Sequence, residues 1–389
     1  MSSQPRIPAE RGMKKTLLLA LPMACLAAVT DAGAFEIKLG GRLHLDYAAH
    51  RADVKPLDNG FLVRRAKLGV DGRLVDDWSF ELSYDFADPY QVTDDGSTKV
   101  GRFKDGFDDV ALRYEGWKPA DIDIGQFKVP FGLEELTSSN NIGFIERALP
   151  TAAFAPARRL GAGLGRNRER YTLSAMGFGS SIDGGDQGRG AAARATFTPV
   201  DGGAGGTLLH LGLAAVVERP KGDVKFNARP ESRVADVKLL NTGTLRDVER
   251  IERGGLEAAW RSGPLSLQAE WMRAALERSH GSPDAHLRGW YVMGSWLLTG
   301  ESRQYRNGRF RGVPLQRPGG AWELVARYSH LDLDDGRLRG GEESNLALGV
   351  NYYATKHLRI MLDYIDVRSE RRGRRDDPEI LALRTQLAF

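Results

Sequence analysis

Apolar and polar residues alternate with a period of two along most of the chain. In EIKLGGRLHLDYA (Glu36–Ala48), Ile37, Leu39, Gly41, Leu43, Leu45 and Tyr47 form one row, and Glu36, Lys38, Gly40, Arg42, His44 and Asp46 the other. That period makes a strand with one apolar and one polar face. The next segment repeats it, with Leu62, Arg64, Ala66, Leu68, Val70, Gly72 and Leu74 against Val63, Arg65, Lys67, Gly69, Asp71 and Arg73. WSFELSYDFAD follows a short turn at Val75–Asp77 and sets Trp78, Phe80, Leu82, Tyr84 and Phe86 against Ser79, Glu81, Ser83 and Asp85. Similar segments are Asp109–Trp117, Asp121–Lys128, Arg170–Gly179, Gly188–Pro199, Leu208–Glu218, Gly254–Trp260 and Leu265–Ala274. Gly289–Gly300, Trp322–Leu333, Asn345–Ala354, Leu358–Val367 and Glu379–Phe389 continue the series. The pattern predicts about 16 strands and no amphipathic helix of any length.

The connections differ in length. Val75–Asp77, Lys118–Ala120, Arg261–Pro264 and Thr355–His357 are short. Ala49–Gly60, Asp88–Gly106, Ser180–Gln187, Arg219–Glu249, Glu277–Arg288, Glu301–Gly320 and Arg368–Asp377 are long, polar and rich in Gly, Arg and Asp. Short turns at one rim and long loops at the other are the layout of an outer-membrane barrel. A soluble β-sandwich or propeller accounts for the alternation equally well, so other features must decide. Aromatic residues gather toward strand ends (Trp78, Trp117, Trp260, Trp271, Trp290, Trp322, Tyr47, Tyr84, Tyr114), where membrane interfaces place them. The last strand ends on Phe389 in its apolar row. Closure would satisfy every backbone donor and acceptor in a medium that offers none. The expected fold is therefore all-β: a transmembrane antiparallel β-barrel. Arg65, Lys67 and Arg73 face Glu81 and Asp85 across the first hairpin. An interior that polar, in a barrel of about 16 strands, holds a water-filled pore.

The chain has 389 residues, of which 41% are hydrophobic, and a mean hydropathy of −0.38. No apolar run reaches the ~18 residues of a spanning helix. The longest, Leu17 to Val29, follows Lys14 and Lys15 and precedes Ala32-Gly33-Ala34. That is the form of a secretory leader. Residues 1–34 are expected to be a cleaved signal peptide, with Met13 as an alternative start, and residues 35–389 the barrel. Export delivers such a chain to the outer membrane. Cys25, the single cysteine, lies in the leader, and Pro22 stands where a lipoprotein signal wants Leu. The mature chain then has no cysteine for a disulfide, a metal site or a nucleophile. Removing the leader takes the net charge from +4 to about +2, which is not a nucleic-acid binder's charge. No cofactor motif is present.

FLVRRAKLGVDGRL, WSFELSYDFAD, DIDIGQFKVPFGLEELTSSN, FIERALP, ARPES, GPLSLQAEWMR and SWLLTGESRQY together resemble the phosphate-selective porin O and P family over essentially the whole mature chain. GQFKVPFGLEELTSSN followed by FIERA is the most specific part. The resemblance implies a homotrimeric, 16-stranded channel narrowed by an infolded constriction loop, with an arginine ladder that feeds anions to a central site. It places Arg64 and Arg65 near the constriction, and Ser138, Ser139 and Arg147 on the infolded loop. It also places Asp108 as an acidic partner and Arg229, with Arg233 nearby, on the ladder. Arginine suits such a role because its planar fork of donors matches phosphate oxygens and stays charged. The chain departs from the pattern at Glu134 and Glu135, where phosphate-specific relatives carry a nearby lysine, and at Asn227, where another ladder arginine is expected. The expected partners are inorganic phosphate or other small anions, outer-membrane lipid and lipopolysaccharide, and further copies of the chain. Two solute readings stay open: a phosphate- or polyphosphate-selective channel, and a general small-solute porin.

Several features carry two readings. Under strict alternation either Arg64 or Arg65 faces lipid, at a cost of about 2–4 kcal/mol at the midplane. A bulge turns both inward; a rim position or a subunit contact leaves one outside. Lys128 either lines the pore or pairs with Glu134 or Glu135. RSERRGRRDDPE (Arg368–Glu379) is a solvated loop that recruits anions or meets lipopolysaccharide phosphates. DLDDG (Asp332–Gly336) lacks the spacing of a calcium loop. GAGLG (Gly161–Gly165) precedes no helix and is no dinucleotide fingerprint; its small residues suit packing beside the infolded loop. His44, His50, His210, His280, His286, His330 and His357 are scattered, and no nucleophile motif accompanies them. The rival classes, an outer-membrane enzyme or a structural barrel with a closed lumen, thus lack a motif. The expectation is a passive pore and not an enzyme.

Overall fold

The computed structural model describes residues 36–87, 90–93, 98–100 and 106–389. The expected leader and most of the Asp88–Gly106 loop lie outside them. Sixteen antiparallel strands close into a barrel. They are β1 (Glu36–Arg51), β2 (Gly60–Val75), β3 (Trp78–Asp85), β4 (Gly106–Tyr114), β5 (Asp121–Lys128), β6 (Arg158–Asn167), β7 (Tyr171–Phe178) and β8 (Gly188–Asp201). The series continues with β9 (Leu208–Pro220), β10 (Val248–Ser262), β11 (Leu265–Arg278), β12 (Ala285–Leu297), β13 (Ala321–Asp335), β14 (Leu338–Tyr353), β15 (Leu358–Arg371) and β16 (Glu379–Ala388). β16 pairs back on β1 from Arg42↔Ala388 to Arg51↔Glu379, so the sixteen strands close on themselves. The seam carries a buried ion pair: Arg384 Nε and one terminal nitrogen lie 2.6 and 2.7 Å from the two carboxylate oxygens of Asp46. Removing Arg384 would strand the buried Asp46 carboxylate, at a cost of about 3–5 kcal/mol; Arg384 itself keeps a second partner in Glu146 at 3.2 Å.

β6 has no counterpart among the alternating segments. Its rows alternate Leu160, Ala162, Leu164 with Gly161, Gly163, Gly165, so glycine stands where other strands carry polar side chains. That leaves a shallow inner wall beside the constriction. A second correction concerns Glu301–Gly320. It joins β12 to β13 at the rim of the short turns, not at the long-loop rim. At the opposite rim, β13 and β14 meet in a tight turn at Gly336-Arg337.

Two register shifts, one in β2 and one in β4, break the alternation beside the infolded 129–157 loop. Arg65 pairs with His44 and Val63 with Leu45, so Arg64 is an extra residue in β2. Leu82 pairs with Val110 and Tyr84 with Phe107, so Asp108 and Asp109 together face one residue of β3. A bulge re-aims the residues beside it. Each of these lets two adjacent charged side chains point into the lumen, and the lipid-side penalty on Arg64 does not arise.

Three segments fold into the barrel. Residues 129–157 carry two short helices, α1 (Leu133–Leu136) and α2 (Leu149–Phe154), and cross to the far wall. There the backbone amides of Leu133 and Glu134 donate to Glu270 at 2.8 and 2.7 Å, and that of Ile145 donates to Asp363 at 2.7 Å. Residues 221–247 lie beside this loop: the Leu149 amide, Arg327 and Ser329 all donate to Glu231. Residues 298–320 enter from the short-turn rim, where Arg303 bonds Glu323 at 2.6 Å and the Asn141 carbonyl at 2.7 Å. Phe131, Leu149, Phe154, Phe226 and Leu240 pack against Met272, Leu276, Leu287, Leu331 and Leu333. This apolar core fills the β10–β13 side of the lumen. Water is left the side walled by β1–β8.

Candidate functional site

The 129–157 loop faces the wall of β1, β2 and β6 across the part of the lumen that the apolar core leaves open. A cavity of about 430 Å³ lies there. Ten basic side chains line it (Arg42, Arg65, Lys67, Arg113, Lys128, Arg147, Arg158, Arg194, Arg309, Arg311) against four carboxylates (Glu81, Asp109, Asp123, Glu135). A second cavity of about 440 Å³ adjoins it toward the short-turn rim and shares Glu81, Arg113, Asp123, Phe127 and Arg309. Here Lys38, Arg73, Arg113 and Arg309 are matched by Glu36, Asp71, Glu81 and Asp123. Of these two cavities, the one beside the 129–157 loop carries the positive excess in its lining.

Arg65, Lys128, Ser138, Ser139 and Arg147, singled out from the sequence, all line the upper cavity. Arg42 on β1 donates to Ser139 Oγ at 3.0 Å and to Ser138 Oγ at 3.4 Å. Arg65 is buried and lies 3.3 Å from His44 Nδ1. Among the described residues, neither arginine has a carboxylate in ion-pair contact. Lys128 lies 3.1 Å from Glu135 Oε1 and donates to the Glu135 backbone carbonyl, so it both lines the cavity and pairs. Arg147 Nε is 3.1 Å from Glu135 Oε2, and its remaining donors reach the carbonyls of Glu135 and Thr137. Burial works to raise the Glu135 carboxyl, but Arg147 and Lys128 outweigh it and hold that group down to about 2.

The other residues singled out lie outside the cavity lining. Asp108 pairs with Lys67 and lies 3.3 Å from Arg158. Arg64 forks onto Glu146 at 2.6 and 3.2 Å. Arg233, on the 221–247 loop, is 3.4 Å from the same carboxylate, and burial beside Arg64 lowers its guanidinium to about 10. Arg229 donates to Asp236 at 2.9 Å. Glu146 is thus the anchor of a charged tier on the long-loop side. Burial pushes its carboxyl up, yet Arg64, Arg233 and Arg384 hold it well below the usual carboxylate range. Glu134 turns away from the pore: it accepts from the Ala148 amide at 3.0 Å and lies 3.2 Å from Arg327.

Arg42, Arg113, Arg158, Arg194, Arg309 and Arg311 also belong to the cavity, as does Lys67, which the sequence places on the inward face opposite Glu81 and Asp85 but not among the site residues. Arg42 and Lys67 stand on the inward rows of the first two strands, which is signal enough to find them. Arg309 is different. It arrives on a hairpin made by Tyr305–Arg306 and Arg309–Phe310, and donates to the Leu136 carbonyl at 3.4 Å. No local pattern marks it.

A family model described as phosphate-selective porin O and P matches residues 37–389. Porin O of Pseudomonas aeruginosa is 27% identical over 411 residues, covering 94% of this chain and 91% of that one. Among solved structures, an anion-selective porin from Comamonas acidovorans superposes with a TM-score of 0.61 at 12% identity, covering 92% of this chain and all of that one. The outer-membrane channel DcaP of Acinetobacter baumannii gives 0.59 at 12% identity, covering 92% and 99%. At that identity the two structures bear on fold alone.

Proposed function

We propose that this chain, which belongs to the phosphate-selective porin O and P family, is a passive outer-membrane channel whose anion preference is set at the upper cavity. One observation carries the reading: ten basic side chains and four carboxylates line the upper cavity, where Arg42 and Arg65 have no carboxylate in ion-pair contact among the described residues, while the adjoining cavity is balanced. A low-dielectric wall around such an excess focuses the field and concentrates anions. Selectivity then arises where permeating ions must pass the crowded charges. Transport involves no turnover; a solute exchanges hydration for arginine forks and serine hydroxyls, then leaves. Residues 1–34 serve as the cleaved leader, and the working unit is a homotrimer in contact with outer-membrane lipid.

The solute is a small anion. Glu135 favours the broader of the two readings, because it offsets one of the two positive charges of Lys128 and Arg147 and occupies the donors a phosphate would use. Single-channel recording in chloride, followed by titration with phosphate, tests both levels. A reversal potential toward chloride in a salt gradient is expected, with only weak block by phosphate. Cation preference, or an electrically silent bilayer, sinks the channel assignment; block at micromolar phosphate restores the narrower one.

A further inference from the structure

The upper cavity and the one adjoining it toward the short-turn rim share Glu81, Arg113, Asp123, Phe127 and Arg309. Arg113 and Asp123 satisfy each other through a fork at 2.7 and 3.1 Å. Phe127 breaks the inward row of β5, where Asp121, Asp123 and Gly125 precede it. No other aromatic side chain among the described residues lines the upper cavity, and this one is half-buried. Phe127 pairs in register with Arg159, yet the tip of its ring reaches the Gly163 position of β6. A Cβ on Gly163 would lie 3.0 Å from Cζ and 3.3 Å from Cε2 of that ring. The glycine row of β6 is thus the floor on which the ring rests. At Gly165, next on the row, a Cβ would meet nothing within 4 Å, so the space there is open. A ring facing water is stabilised when a second apolar surface covers it.

Arg309 brings a cation to the same boundary. It arrives on the Tyr305–Arg306 and Arg309–Phe310 hairpin and donates to the Leu136 carbonyl at 3.4 Å. Among the described residues no carboxylate is in ion-pair contact with it. Burial and the neighbouring Arg311, Arg194 and Arg113 pull its guanidinium down to about 10, with Glu81 opposing them. A planar cation crowded by its own kind is short of an anion. Glu81 limits which anion fits, because a second negative charge on the ligand would meet its carboxylate across the boundary.

We propose that this boundary is a seat for aromatic monocarboxylates: the carboxylate takes the free fork of Arg309, and the ring lies against Phe127 in the space that Gly165 leaves open. The inference rests on the anion-channel reading above and names the solute class within it. Acetate can use Arg309 but has no ring to cover Phe127. Inorganic phosphate lacks the ring too, and carries a second charge toward Glu81. A neutral aromatic molecule covers the ring and leaves the guanidinium without its anion.

The test reads block of the chloride current through the full chain in planar bilayers. Benzoate should block at about tenfold lower concentration than acetate, with phosphate weaker than benzoate. Benzamide, which keeps the ring and loses the charge, should block far less than benzoate. Phe127→Ser should bring benzoate down to the level of acetate, and Phe127→Tyr should keep most of the difference. Gly165→Val, which fills the open space and spares both Phe127 and Arg309, should remove the difference as well. Arg309→Gln should reduce benzoate to the level of benzamide. The ratio of benzoate to acetate is taken within one channel, so a general loosening of the lumen cancels. Equal block by benzoate and acetate, a benzoate advantage that survives both Phe127→Ser and Gly165→Val, or benzamide as effective as benzoate overturns the seat. Reversal potentials in a potassium chloride gradient are read on the same channels. Anion preference without a benzoate advantage overturns this inference alone; cation preference overturns the proposed function and the seat with it.

Discussion

The carboxylate of Glu135 lies 3.1 Å from Nε of Arg147, inside the cavity that both residues line. With Lys128 at the same distance, it cancels positive charge where a permeating anion would feel it most. Glu135 stays ionised at any physiological pH, since its neighbours hold it near 2. Glu135→Gln therefore exposes two cations. A unit charge at about 4 Å in water is worth about 1 kcal/mol, or roughly fivefold in an equilibrium constant. The anion-to-cation permeability ratio and the strength of phosphate block should each rise by about that factor. An unchanged reversal potential in a potassium chloride gradient would show that Glu135 does not face the ion path.

Arg42 and Ser139, joined at 3.0 Å, are expected to be the first groups an anion exchanges with. Arg42→Ala should lower the permeability ratio several-fold. Arg42→Lys should keep part of the preference but weaken phosphate block, because a lysine offers a point charge and no planar fork. Arg65→Ala and Arg147→Ala should act in the same direction, the latter less, since Arg147 spends its donors on Glu135 and loop carbonyls. If Arg42→Ala and Arg65→Ala together leave chloride selectivity intact, the upper cavity is not the filter.

The strands on the β1–β5 side were legible because lipid outside and water inside force strict alternation. The β10–β15 side was legible chiefly from its outward row, since loops cover its inner row, where apolar side chains mix with buried anchors such as Glu270, Glu323, Arg327 and Asp363. β6 escaped because Gly161, Gly163 and Gly165 give no polar row to read. The bulge at Arg64 was one of two readings that alternation left open; the one at Asp108-Asp109 was not foreseen, since a single extra residue looks like noise in a period of two. Arg309 and the 298–320 segment were beyond reach for a topological reason. Loop length says that a segment is long, but not into which compartment it folds.

Glu146 should make the constriction acid-resistant. Its carboxyl is held well below the usual range by Arg64, Arg233 and Arg384 against the effect of burial. A group lowered on folding stabilises the fold fully above its unfolded value of about 4.3, and that contribution fades only as pH falls through the lowered folded value. Conductance and current noise should therefore be flat from pH 7 to about pH 4. Glu146→Gln should remove the resistance at all pH values, leaving buried guanidiniums short of a counter-charge, and should give noisy, enlarged conductance at neutral pH. A variant as quiet as wild type would show that Glu270, Asp363 and Glu231 anchor the loop without it.

Gly308 sits at the tip of the hairpin that enters from the short-turn rim, with φ of 69°. Its carbonyl accepts from Arg194 at 2.8 Å. A Cβ there would lie 2.8 Å from Thr172 Oγ1, 3.0 Å from Thr196 Oγ1 and 3.2 Å from an Arg194 terminal nitrogen. Gly308→Val thus adds the strain of a left-handed branched residue, about 1–3 kcal/mol, to a clash with the wall. The hairpin should leave its seat and carry Arg309 out of the cavity. The barrel itself should hold, because the hairpin contributes no strand to the closed sheet. Single-channel conductance should rise and anion preference should fall, while the protein keeps its heat-modifiable migration in SDS. Conductance equal to wild type in Gly308→Val would mean that the hairpin tolerates displacement without opening the path, and that Arg309 has no part in setting selectivity.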